Sequence, residues 1–172
     1  MGYTTTFTGS FKLNRPLEPK HYAYLMEFAG TRRMARSERA AEKFEDKIRE
    51  AVGLPIGPEG AYFVGASGFR GLGADESIAD FNSPPADQPG LWCQWVPTDD
   101  GNGIEWDGGE KFYSYGEWLL YLLGHFLRPW GYELSGTVRW QGEELDDCGK
   151  ITVDGNMVSV QKGYTAWRAV DP

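Results

Sequence analysis

The order of hydrophobic patterns along this chain predicts an α+β fold, a two-layer sandwich with helices on one face of an antiparallel sheet. Three observations carry that expectation. Period-two alternation of apolar and polar residues marks strands near both ends of the sequence. Stretches with apolar residues at helical spacing lie between them. Turns rich in Asp, Asn and Gly join the later strands in pairs. The sheet should hold about five to six strands. Leaving out a middle insertion and a final hairpin, the order reads β-α-β-β-α-β, the ferredoxin-like split arrangement.

The first element is the clearest. Tyr3, Phe7, Phe11 and Leu13 alternate with Thr4, Thr6, Thr8, Ser10 and Lys12, the pattern of a strand with one buried face. Pro19 suits the first turn of a helix, where its missing N–H is no loss, and Tyr22, Leu25, Phe28 and Ala29 recur at helical spacing. Gly30 ends or kinks that helix near Thr31. A second helix is expected over 37–52, capped by Ser37 and stopped by Gly53, with a thin stripe of Ala41, Phe44, Ile48 and Val52. Glu45 and Arg49 stand four apart on it and should pair.

Residues 53–90 change character: eight Gly and five Pro fall in that window, with one apolar patch at 61–64. A long stretch without regular structure reads as an insertion between core elements. Strand pattern resumes over 91–96, with a partner at 104–106 across an Asp-Asp-Gly-Asn-Gly turn. Ser114 and Glu117 have the spacing of a capping box, and Tyr113 and Trp118 that of a hydrophobic staple. The helix they start carries Tyr115, Trp118, Leu119, Leu122 and Phe126 on one face, with Arg128 near its end and Pro129 as its stop. Tyr132, Leu134, Val138 and Trp140 then alternate with polar neighbours, and Asp154-Gly155-Asn156 turns a last hairpin.

The length of 172 residues fits one domain. A chain of that size buries about 70% of its surface on folding and needs no metal or disulfide staple. Apolar residues at 41% and aromatics at 15% exclude disorder as a description of the whole. No signal-peptide pattern stands at the start, and the apolar run at 119–123 is far too short to span a membrane. A cytoplasmic protein with no membrane partner is expected, with Cys93 and Cys148 as reduced thiols. The net charge of -8 disfavours nucleic acid as a partner. That charge is uneven: residues 1–52 carry ten Lys/Arg against seven Asp/Glu, and residues 53–172 carry seven against eighteen.

Chemistry-bearing motifs are sparse. His21 and His125 stand far apart on two expected helices, without Cys-His spacing, so no metal centre is expected and each reads as a structural histidine. The acidic segment 99–107 fails the calcium-loop pattern, because Ile104 and Glu105 sit where an oxygen donor and Gly are needed. The glycine-rich stretch 65–73 lacks the ending of a phosphate-binding loop. Glu105 with Asp107, beside Trp95 and Trp106, could serve as a glycosidase-like carboxylate pair. The basic knot Arg32, Arg33 and Arg36 could hold a phosphate or an acidic partner.

Two groups of residues together resemble a small uncharacterised protein family of bacteria and their phages. One runs from Tyr3-Thr-Thr-Thr-Phe-Thr-Gly-Ser-Phe through Arg15-Pro-Leu to Thr31-Arg-Arg-Met. The other holds Gly90-Leu-Trp-Cys-Gln-Trp, Trp106-Asp-Gly-Gly-Glu-Lys-Phe-Tyr, Glu117-Trp-Leu, Pro129-Trp-Gly-Tyr and Trp140-Gln-Gly-Glu. The resemblance implies an intracellular setting and a phage or mobile-element context, and it brings no activity or site residues.

The expected function is therefore a non-catalytic binding module, without cofactor, for a host protein or a small nucleotide-like anionic ligand. Arg32, Arg33, Arg36 and Arg70, with Trp95 and Trp106, are its candidate ligand-binding residues. A carboxylate-dependent hydrolase using Glu105 and Asp107 is one alternative, and an acidic mimic of nucleic acid is another. Self-association is compatible with all three.

Overall fold

The computed structural model describes residues 2–65 and 74–164. In chain order the elements are β1 (Thr6–Thr8), β2 (Ser10–Leu13), α1 (Pro19–Gly30), β3 (Ala35–Arg36), α2 (Glu38–Ala41) and α3 (Lys47–Ala51). A 3-10 turn at Pro58–Gly60 and β4 (Ile78–Asp80) follow, then β5 (Trp95–Pro97), β6 (Gly103–Trp106) and α4 (Tyr115–Leu122). A π turn at Leu123–Leu127 continues α4, and β7 (Leu134–Gln141), β8 (Cys148–Asp154) and β9 (Met157–Lys162) complete the set.

The main sheet has seven strands in the order β5-β6-β2-β7-β8-β9, with β1 also on β7. Each pairing described is antiparallel. The architecture is thus α+β, as the alternation predicts. β1 and β2 hold a single register against β7, from Thr6 opposite Gln141 to Leu13 opposite Leu134. They are one strand interrupted at Gly9, whose φ of 104° no ordinary side chain adopts easily. Gly136 answers it on β7 with a φ of 130°. A Cβ there would stand 3.4 Å from the Phe11 Cα.

Alternation along the strands sends Phe7, Phe11, Leu134, Val138, Ile151 and Val153 to one face, where all are buried. α1 and α4 cover that face. Phe28 of α1 meets Trp118 and Phe126 edge to face, with centroids 6.0 and 5.0 Å apart. The other face carries Thr8, Ser10, Lys12, Thr137, Arg139, Lys150 and Gln161, and none of these is buried.

Several local expectations differ from the structure. The helix over 37–52 is two short pieces. Ser37 does cap the first, accepting from the Ala40 N–H at 3.4 Å. The break comes from Asp46, whose buried carboxylate accepts from the Arg49 and Val64 backbone N–H groups and from Arg49 Nε at 2.9 Å. Arg49 therefore pairs with Asp46, and Glu45 with Lys47. The strand expected at 91–96 is shorter and shifted, running over Trp95–Pro97. The expected capping box is absent, because Ser114 is left-handed (φ 53°) and its side chain makes no cap bond. The staple is missing with it, since Tyr113 is exposed.

The described parts of 53–90 are not structureless. Phe63 and Val64 are buried, and β4 pairs with β3 in a second, two-stranded sheet. Arg33 fastens the segment to the body from inside. Its guanidinium donates to the Ala61 and Phe63 carbonyls at 2.8 and 3.0 Å and to Gln88 Oε1 at 3.2 Å, over the Phe28 ring.

Candidate functional site

The basic knot does not form one surface. Arg33 is 2% exposed and its bonds are internal. Arg36 is buried too, donating to Asp75 Oδ2 at 3.0 Å and to Ser77 Oγ, with its guanidinium over Phe63. Arg32 alone is partly open; its Nε donates to the Phe81 carbonyl at 3.1 Å and its head lies over the Phe81 ring. Arg33 and Arg36 both turn inward to Phe63, Arg33 onto its carbonyl and Arg36 onto its ring. The three cations expected to gather an anion thus hold the fold's periphery together. Arg70 lies outside the described residues, as does 66–73 of the glycine-rich stretch.

The aromatic and acidic candidates also part company. Trp95 is 1% exposed, with its indole N–H given to the Tyr115 carbonyl at 2.8 Å; it is a core residue. Trp106 is half-buried and donates to Gln94 Oε1. Asp107 accepts from the Gly109 N–H at 2.7 Å in a local turn, and partial burial raises its carboxyl above the usual range. Glu105 instead lines a hollow of about 670 Å³ with Asp99, Asp100 and Lys12. Asp107 is not among the residues that line that hollow.

Both histidines sit in aromatic settings. The Tyr132 hydroxyl accepts the Glu18 N–H at 2.9 Å and shares a hydrogen bond of 2.8 Å with His21 Nδ1. His21 is stacked on Trp130 with centroids 4.2 Å apart. His125 lies in the π turn, stacked on Tyr121, with Nδ1 2.8 Å from the Tyr62 hydroxyl. Burial lowers the pKa of each imidazole. Among the described residues no group of three or more His, Cys, Asp or Glu is placed to hold a metal ion. No helix there is long and apolar enough to cross a membrane.

The hollow that does gather functional groups lies on the open face of the sheet. It encloses about 390 Å³ over β1, β7, β8 and β9. Register builds its floor: Thr8 stands opposite Arg139, Arg139 opposite Lys150, and Lys150 opposite Gln161. Thr6, opposite Gln141, adds a second hydroxyl, and Lys162 and the exposed Tyr164 stand on the rim. Cys148 lines the hollow as well, whereas Cys93 is fully buried, its thiol pushed up to about 12 by desolvation.

Arg139 and Lys150 are directly opposed like charges, a placement that destabilises a sheet unless something of opposite sign lies between them. Among the described residues no carboxylate lines this hollow, and neither cation makes an ion pair. Asp147, next to Cys148 in sequence, lies 3.6 Å from Lys162 and accepts from the Tyr3 hydroxyl at 2.5 Å. The sequence reading missed this cluster. Arg139 and Lys150 are eleven positions apart, and only the hairpin register brings them together. The signal was available: Thr137, Arg139 and Gln141 fall on the polar side of the clearest late strand.

Comparison with known protein families, with curated proteins and with solved structures finds no match to this chain.

Proposed function

We propose that this chain is a non-catalytic binding module whose open sheet face takes a small, nucleotide-like anionic ligand. The observation that carries the reading is the uncompensated Arg139–Lys150 opposition at the floor of a ligand-sized hollow. A phosphate lying between the two would convert a repulsive cross-strand pair into two charge-assisted hydrogen-bonding partners. Thr6, Thr8 and Gln161 offer hydroxyl and amide groups to the rest of the ligand, and Tyr164 a ring for a base or another flat group.

The scaffold in this reading is a ferredoxin-like split core carrying a C-terminal hairpin. Its support is the neighbour order β5-β6-β2-β7, with α1 between β2 and β5 and α4 between β6 and β7. An intracellular, bacterial or phage-borne setting belongs to the same proposal and rests on the sequence resemblance.

Cys148 supplies the test, because the chain's only other thiol is buried. Alkylation of Cys148 by iodoacetamide is followed by mass spectrometry with inorganic phosphate, pyrophosphate or a nucleoside monophosphate present. Protection is expected in the wild type, lost in Arg139→Ala and Lys150→Ala and retained in Arg32→Ala. Unprotected wild type under all three probes, or protection that survives loss of both sheet cations, overturns the reading.

A further inference from the structure

β9 is the outermost strand of the main sheet among the described residues, and its free edge has a definite chemistry. Gly155 and Asn156 form a two-residue turn with positive φ at both positions, flanked by Asp154 opposite Met157. In such a hairpin the flanking residues exchange both backbone hydrogen bonds, and every second pair repeats this. The Gly163 N–H, bonded to the Cys148 carbonyl at 2.7 Å, keeps that phase at the far end. The N–H and C=O groups of Val158, Val160 and Lys162 therefore point away from β8, into the open.

A groove of about 470 Å³ runs beside that edge, between β9 and the first half of α4, lined by Tyr115, Gly116, Glu117, Leu120, Val158 and Val160. Leu120 is 55% exposed and Val160 49%, whereas Trp118, Leu119 and Leu122 on the same helix as Leu120 are buried. An exposed edge strand with an apolar flank is a template for another strand.

We infer that the occupant is a second copy of this chain, paired antiparallel through β9 with Val160 on the two-fold axis. This register sets the three outward-facing residues of one copy against those of the other: Val160 against Val160, and Val158 against Lys162. Both faces of the new pair then match. Val158, Val160 and the two Leu120 side chains meet on the helix side, while Ser159 and Gln161 meet on the polar side. Charges match as well. Lys162 never faces Lys162; it lies across Val158 of the other copy, within reach of that copy's groove carboxylate, Glu117. Its present contact with Asp147 is exposed and weak at 3.6 Å, and does not hold it back. The pairing is isologous, so it closes at two copies. It borders the anion hollow at Gln161 and Lys162 and uses neither Arg139 nor Lys150.

Sedimentation velocity on the full chain over a range of micromolar concentrations tests the proposal. The wild type is expected at twice the chain mass. Val160→Pro deletes an outward N–H without touching the β8 ladder and should give the mass of one chain, with its thermal midpoint kept. Leu120→Glu, on an exposed helix position, should do the same and keeps the test decisive if the proline variant fails to fold. Glu117→Lys and Lys162→Glu should each weaken association by about tenfold, and together restore it. A wild type that sediments as one chain, or a dimer that survives Leu120→Glu, overturns the proposal. Failure of the double charge swap to restore association overturns the register.

Discussion

Arg33 shows how strongly one side chain can bind distant pieces of chain. It is a buried guanidinium whose described hydrogen-bond partners are neutral: two backbone carbonyls, a Gln88 amide oxygen and an aromatic face. Arg33→Ala would leave those acceptors unpaired in a dry site, and should cost about 3–5 kcal/mol, read from urea unfolding. Arg33→Lys should recover only part of this, since an ammonium cannot span the same fork of acceptors. At the same scale, the two histidines set a pH dependence. Burial depresses both imidazole pKa values, so the unfolded chain takes up protons that the folded one refuses. Stability from this source is full above about pH 6.5 and falls as pH drops through it, levelling off below the folded pKa values. Urea midpoints followed down from neutral pH should decline, and a His21→Asn, His125→Asn variant should decline less.

Among the elements, α4 separates what a sequence pattern can reveal from what it cannot. Its buried face was legible, because Trp118, Leu119, Leu122 and Phe126 recur at helical spacing and all are buried. Its start was misread, because Ser and Glu at the right interval do not compel Ser114 into the extended geometry a cap needs. With Ser114 left-handed, Ser114→Gly should raise stability by up to about 1 kcal/mol, measured by chemical denaturation. A working capping box would give a loss instead. The same limit applies to 37–52, where the stripe of Ala41, Phe44, Ile48 and Val52 is regular, yet Asp46 turns inward to serve Val64 and splits the helix. Strand alternation was a safer guide, since inward and outward residues of β7 fall as read. The candidate anion site is a property of pairing between strands, so no single stretch of sequence displays it; the arginine triplet, close in sequence, is engaged in internal bonds at Arg33 and Arg36.

For the molecule as a whole, the open face is electrically two-sided. The Arg139–Lys150 hollow lies over β7 and β8, while Glu105, Asp99 and Asp100 crowd the hollow over β2 and β6. Phosphate affinity at the first should fall steeply as sodium chloride is raised, measured by the same Cys148 protection. An apolar contact would be almost indifferent to salt. The N-terminal strand adds a constraint of another kind. Thr6 meets Gln141, 135 residues further on, and β2 lies between β6 and β7. During synthesis at about 5–20 residues per second, Phe7 and Phe11 emerge many seconds before β7 exists to shelter them. The middle of the sheet can therefore close only after residues through Gln141 have been made. A protein so wired depends on its first strand staying free of partners until β7 has been made, and the glycine at position 9, a weak strand former, interrupts that waiting segment.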